Sequence, residues 1–195
     1  MLPTSPPAAR RRHRLRLAER PACGVALALA LGAGLAAGLA GCGKDGEELL
    51  GMWQVTAHTE NPAGCEAEGP AVTDPPFIRF VEGSFFGQDY YEYVACRDAA
   101  GADCDPSAGL FTLLYAEPVA GGMRAAIYAA SGSSDDCLLA ATISDAVVTA
   151  GALRIETRRR HQDGVTDSAC DADDAEARAA TLPCTELEIL VGQRP

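Results

Sequence analysis

Short runs of alternating apolar and polar residues follow one another along the chain from about residue 49 onward. A period of two residues is typical of half-buried β-strands. Turn residues separate the runs, as in EPVAGG, SGSSDD and the Ala150-Gly151 step. The pattern predicts strands over 51–59, 77–82, 89–96, 109–116, 122–130, 137–144, 146–150 with 152–160, and 184–193.

One segment, residues 171–180 (DADDAEARAA), has the character of a helix. Asp171, Asp173 and Asp174 near its start suit the positive end of a helix dipole. About eight strands in succession with mostly short links favour an all-β domain over residues 49–195. We predict an antiparallel up-and-down barrel with one short helix. A β-sandwich is the alternative fold.

The N-terminal region shows no such alternation. Six arginines precede residue 21 beside a single acid, Glu19, and an uncharged apolar run follows over residues 24–41. A basic segment followed by an apolar run is typical of a secretory signal. A transmembrane anchor is the alternative, because the run reaches the lower limit of a membrane span.

The apolar run ends in Leu39-Ala40-Gly41-Cys42, which resembles the lipobox of bacterial lipoproteins. The resemblance implies that residues 1–41 are a cleaved signal peptide and that Cys42 carries the lipid. Residues 42–48 are then a lipidated tether, and the partner is a membrane, bound through the acyl chains on Cys42. Two or three chains anchor stably, since each buried CH₂ contributes about 0.8 kcal/mol.

The position after the cysteine bears on the membrane involved. Gly43-Lys44 lacks the aspartate that retains enteric lipoproteins in the inner membrane. The resemblance therefore favours the outer membrane over the inner membrane of the cell envelope.

Charge excludes one class of partner. The net charge is −11 although the first 20 residues are strongly basic, so the remainder is very acidic. Such a chain repels nucleic acid, and we expect no nucleic-acid partner.

Six of the eight cysteines fall within the predicted β-domain, an even number that is typical of disulfides in an exported protein. Cys96 with Cys104, and Cys170 with Cys184, bracket short local loops, and we predict these pairs. Cys65 is then left with Cys137. Pairing of Cys65 with Cys170 or with Cys184 stays open.

The first predicted strand contains Leu50-Gly51-Met52-Trp53, which resembles the G-x-W start of lipocalins and related calycin barrels. The resemblance implies that Trp53 packs across the closed end of the barrel. It also implies a covering arginine near the last strand, here Arg194, in a cation–π contact that contributes about 0.5–2 kcal/mol. The T-D-x-x-Y motif of that family is absent. The combination is similar to uncharacterised cysteine-containing lipoproteins of myxobacteria.

Aromatic residues concentrate in residues 77–93, where at least one side chain of the Phe85-Phe86 turn is expected to be exposed. Tyr91 and Tyr93 share a strand face. Core filling is the alternative to a ligand mouth or a partner-binding patch. The candidate ligand or partner surface consists of Trp53, Phe85, Phe86, Tyr91 and Tyr93.

Two further segments carry expectations. The long segment 60–76 could cover a barrel mouth, with Cys65 holding it in place; a disulfide-tied surface loop is the alternative. Along RIETRRRH, every second residue from Arg154 to Arg160 shares a face, which we expect to be solvated and paired with the acidic segment 171–176.

Chemistry-bearing motifs are absent from the sequence. No nucleophile elbow, P-loop, HExxH or CxxC occurs, and CDADDAE lacks the spacing of an EF-hand. His58 and His161 are isolated along the chain. We therefore expect no enzyme, no cofactor and no metal. Two functions remain: binding of a small apolar ligand in the barrel, or a structural or protein-interaction role in the envelope without a ligand.

Overall fold

The computed structural model describes residues 45–73, 75–85, 88–113 and 116–195, with the backbone alone at 85, 88–89 and 106–113. Cys42, the predicted signal peptide and Phe86 lie outside the described residues. Among the described residues, no helix is both long and apolar enough to cross a lipid bilayer.

The described part contains nine strands, one α-helix and a short 3₁₀ helix, Glu47–Leu49, before the first strand. The helix α1, Ala172–Arg178, lies between the last two strands. The strands are β1 (Gly51–Asn61), β2 (Phe77–Phe85), β3 (Gln88–Cys96), β4 (Cys104–Leu113), β5 (Glu117–Val119), β6 (Gly122–Ser133), β7 (Asp136–Thr149), β8 (Ala152–Val165) and β9 (Cys184–Gln193).

These elements confirm the all-β prediction and its single short helix. Several strand boundaries differ from the sequence pattern by a few residues, as in Cys104–Leu113 where 109–116 was predicted, and two differences change the number of strands. Residues 136–149 form one continuous strand, because Asp145 pairs outward with Arg124 and does not interrupt β7. The short β5 lies inside EPVAGG, which the pattern assigned to a turn.

All nine strands form one antiparallel sheet in the order β4-β3-β2-β1-β9-β8-β7-β6-β5. Strands adjacent in this order are mostly neighbours in the chain, and β1 pairs with β9. This is the strand order of an up-and-down barrel. The sheet is not closed, since no pairing in the described residues joins β4 to β5.

One face of the sheet encloses the main apolar core, and we call it the concave face. Buried side chains from both halves of the sheet belong to the same cluster, so the sheet curls around them. Its members are Leu49, Trp53, Ile78, Phe80, Tyr91, Tyr93, Met123, Ala125, Ala146, Leu153, Ile155 and Leu190.

The outer face of β6 and β7 is covered by α1. Ala175 and Ala179 pack in one cluster with Leu139 and Ala141 of β7. The carboxylate of Asp171 caps the helix by accepting a hydrogen bond from the Asp174 amide at 2.9 Å, as is usual for this residue type at a helix start.

Three disulfides bind loops to the sheet, and only part of the predicted pairing is correct. Cys96–Cys104 and the open alternative Cys65–Cys184 are confirmed. The predicted pairs Cys170–Cys184 and Cys65–Cys137 are wrong, since Cys137 bonds to Cys170. The reason is that α1 separates Cys170 from Cys184 and packs against β7, where Cys137 is the near partner.

Candidate functional site

Trp53 closes one end of the core and is fully buried. Its Nε1 donates a hydrogen bond to the Leu49 carbonyl at 2.7 Å. The Arg194 guanidinium lies 3.8 Å from the ring centroid and donates to the carbonyls of Glu48 and Leu50, both at 2.8 Å. Burial lowers the pKa of Arg194. The predicted contact between Trp53 and Arg194 is thus confirmed.

The described members of the candidate aromatic surface lie in the core. Tyr91 and Tyr93 are only 3% and 2% exposed, and the Tyr91 hydroxyl donates to the Asp45 carbonyl at 2.6 Å. The side chains of Phe85 and Phe86 lie outside the described residues. Trp53, Tyr91 and Tyr93 therefore fill the core, as the alternative to a ligand or partner surface expected. A ligand or partner contact of these aromatic residues stays a prediction.

The inward side chains of β7, β8 and β9 are apolar near Trp53 and become polar with increasing distance from it along the strands. Cross-strand partners share a face of a sheet, so the register defines the layers. In the middle layer Ser144 and Thr157 are buried and hydrogen-bonded to each other at 3.1 Å. The successive layers are Ala146–Ile155–Leu190, Ser144–Thr157–Glu188 and Thr142–Arg159–Glu186.

A β-bulge in β1 brings two more polar residues onto the concave face. The register between β1 and β9 shifts at Thr56. Beyond the shift His58 pairs with Leu190 and Glu60 pairs with Glu188. Because Leu190 belongs to the core, His58 and Glu60 also point inward.

These inward polar residues form a charged strip, which we define as His58, Glu60, Arg159, Glu186 and Glu188. His58 Nε2 lies 3.2 Å from Glu188 Oε1 and 3.9 Å from Glu60 Oε1. Arg159 donates to the second oxygen of Glu188 at 3.1 Å and forms an ion pair with Glu186. Three carboxylates therefore share one guanidinium and one imidazole.

An apolar strip lies on the same face beside the charged strip. We define it as Ile127 and Ala129 of β6 with Leu138 and Ala140 of β7. Ile127 is 52% exposed and Leu138 is 36% exposed; these are the exposed large hydrophobic side chains among the described residues. Ile127 faces inward because it follows the core residue Ala125 by two positions in a regular strand.

The segment after β1 turns back along that strand. The Val72 amide donates to the His58 carbonyl at 3.0 Å, and the Glu60 amide donates to the Pro70 carbonyl at 3.2 Å. Cys65–Cys184 fastens the same segment to β9. The backbone of His58 and Glu60 is therefore held on both sides, whereas the predicted role of the segment as a lid stays a prediction.

The outer face of β8 carries the ion pairs expected of a solvated charged face. Arg154 and Arg158 both pair with Glu156, and Arg154 also lies 3.7 Å from Glu68. These surface pairs contribute little to stability.

The acidic segment 171–176 was expected to pair with that arginine face, but two of its acids have other partners. Asp171 caps α1, and Asp174 accepts hydrogen bonds from Ser168 and Arg178. The Ser168 hydrogen bond, followed by Arg178, lowers the pKa of Asp174.

A cleft of about 600 Å³ opens on the surface near the Cys96–Cys104 disulfide. Pro75, Pro76 and Arg97 are among the residues that line it. Its wall combines the Cys96–Cys104 hairpin with the exposed ion pair Arg97–Asp103.

Comparison of the chain with protein-family models, with curated proteins and with solved structures finds no significant match.

The charged strip was not predicted from the sequence, where His58 was treated as isolated. The signal is present as H-x-E in the first strand and E-x-E in the last, since residues two apart share a strand face.

Proposed function

We propose that this chain is a lipid-anchored cell-envelope protein whose β-domain binds a small, mostly apolar ligand on its concave face. The observation that carries the proposal is the exposed apolar strip beside the charged strip. Ligand sites are usually concave and mainly apolar, with a few polar groups that fix orientation.

The exposure of Ile127 is unfavourable in the absence of a contact. Full burial of an isoleucine side chain is worth about 1.5–3 kcal/mol, and Ile127 leaves half of its surface in water. The outer face of the same two strands is covered by α1, whereas Ile127 and Leu138 on the concave face are exposed. A ligand seated there would complete the burial that the core begins at Ala125.

The charged strip supplies the polar end of the proposed site. Arg159 of β8 lies one strand beyond the apolar strip, and Glu186 and Glu188 of β9 lie two strands beyond it. Ion pairs from Arg159 to both carboxylates hold the three side chains together. An oriented polar group at the edge of an apolar surface favours a ligand with an apolar body and one polar group. The envelope location itself rests on the resemblance of Leu39-Ala40-Gly41-Cys42 to a lipobox.

The ligand proposal is tested by native mass spectrometry of the full chain after gentle purification, with its disulfides formed. We expect a small molecule to be retained by the unaltered chain and lost from Ile127→Asp. Ile127 is half exposed, so the carboxylate removes apolar contact without emptying the core.

Ile143→Asp is the matched control, because Ile143 lies on the neighbouring strand with its side chain on the opposite face. It should retain the molecule. No retained molecule in the unaltered chain, or equal retention in Ile127→Asp, would overturn the proposal. Loss of a co-purifying protein on Ile127→Asp, with no small molecule, would replace it by the interaction role.

A further inference from the structure

Part of the charged strip has the composition of a metal-ion site. His58, Glu60 and Glu188 each offer one ligand atom, and these three atoms all lie within 4.8 Å of one another. One imidazole nitrogen with two carboxylate oxygens is a donor set that suits zinc and manganese.

The separations fit shared coordination. Two ligands at about 2.1 Å from a tetrahedral zinc ion stand about 3.4 Å apart. His58 Nε2 and Glu188 Oε1 are 3.2 Å apart, and His58 Nε2 and Glu60 Oε1 are 3.9 Å apart. A small movement of Glu60, whose side chain is 47% exposed, completes the set.

The side chains of His58 and Glu188 and the backbone of Glu60 are also held in place before any ion binds. His58 is only 9% exposed, and the backbone around His58 and Glu60 is hydrogen-bonded to β9 and to the segment that turns back along β1. Arg159 holds the second oxygen of Glu188 at 3.1 Å, which leaves Oε1 directed at His58. Groups that orient metal ligands in this way raise the affinity for the metal.

Charge points to a divalent cation. Glu60, Glu186 and Glu188 bring three negative charges to the strip, and Arg159 returns one positive charge. A dication balances the remaining two. The ion takes the Nε2 lone pair of the neutral imidazole of His58, and a proton displaced from that nitrogen passes to water.

We propose that His58, Glu60 and Glu188 form a binding site for a divalent transition-metal cation of the zinc or manganese type. Three protein ligands leave at least one coordination position, which opens toward the concave face. The proposal does not rest on the apolar ligand, because the metal alone is the probe.

The test is isothermal titration of the full chain with Zn²⁺, without a histidine tag and after treatment with EDTA and dialysis. We expect one zinc ion per chain. Glu60→Gln should weaken binding by at least about tenfold, since even groups that only orient a ligand cost that much. His58→Gln should weaken it further. Co²⁺ should give a visible absorption band that is lost in His58→Gln.

His161→Gln is the matched control, because His161 is exposed and hydrogen-bonded to Thr185 at 3.0 Å. It should bind zinc like the unaltered chain. Glu60→Gln keeps the test valid if the buried His58 variant does not fold. Absence of zinc binding at millimolar concentration, unchanged affinity in Glu60→Gln, or loss of binding in His161→Gln would each overturn the proposal.

Discussion

Arg194 follows the last strand and contacts residues at the start of the first strand. No other side chain could make this set of contacts together. The planar guanidinium of Arg194 covers the Trp53 ring and donates to the Glu48 and Leu50 carbonyls at the same time. A lysine has one compact ammonium group and could not both stack and bridge two carbonyls.

We expect Arg194→Ala to lower the free energy of unfolding by about 2–3 kcal/mol, the sum of a cation–π contact and hydrogen bonds from a charged donor. Arg194→Lys should recover only part of this loss. Chemical denaturation followed by Trp53 fluorescence measures both effects.

Arg97→Ala is the control, because Arg97 forms an exposed ion pair and its loss should cost less than about 1 kcal/mol. Equal effects of the Arg194 and Arg97 variants would show that the Trp53 contact contributes nothing specific.

Some residues of the candidate site could be predicted from the sequence and others could not. Trp53 and Arg194 were found because a resemblance places them at defined positions in the first and last strands. His58 and Glu188 were missed because strand alternation alone puts His58 on the face opposite Trp53. The bulge at Thr56 reverses that phase, and a bulge has no clear sequence signal here.

At the scale of elements, the turn between β7 and β8 contains a residue that is poorly suited to its backbone conformation. Ala150 and Gly151 have φ of +51° and +80°, so both central residues are left-handed. A two-residue hairpin turn of this kind favours Asn-Gly. Glycine suits its position, whereas alanine is strained there.

Ala150→Asn should therefore raise the free energy of unfolding by about 0.5–1 kcal/mol, since asparagine tolerates the left-handed conformation better than alanine. Thermal unfolding of the oxidised protein provides the measurement. Gly151→Ala, with nothing within 4 Å of the added methyl, should instead destabilise through backbone strain alone. A stabilising Gly151→Ala would contradict this account of the turn.

The elements were predictable where periodicity was clear. The strand 184–193 and the helix near 171–180 were located correctly, because alternation and a cap residue are local signals. The disulfide partner of Cys170 was not predictable, because it depends on how α1 packs on β7. Local sequence carries no signal for that contact.

At the scale of the whole molecule, the ordered domain starts closer to the proposed anchor than the sequence suggested. Asp45 accepts a hydrogen bond from Tyr91, and Leu49 is fully buried. Residues 45–48 of the predicted tether therefore belong to the folded part. If Cys42 carries the lipid, three residue steps separate it from Asp45, and three steps of extended backbone span at most about 11 Å.

Cys42→Ser should leave the precursor uncleaved and unlabelled by fatty acid, because the thiol is the acceptor that the lipobox resemblance implies. Metabolic labelling with a radioactive fatty acid and the size of the product on a gel measure this. Cys23→Ser should be labelled normally and serves as the control. Continued labelling of the Cys42 variant would refute the anchor.

The pairing of β1 with β9 has a consequence for the order of folding. β1 lies at the start of the domain and β9 at its end, yet the two strands are neighbours in the sheet. Until the ten residues of β9 are available, β1 and β8 each leave one edge without a partner, and exposed edges recruit other strands. Closing so long a loop is slow, because most of the chain must be confined before the contact forms. The sheet is therefore complete only when β9 has paired with both strands, and a chain without β9 loses the junction between the two halves of the sheet.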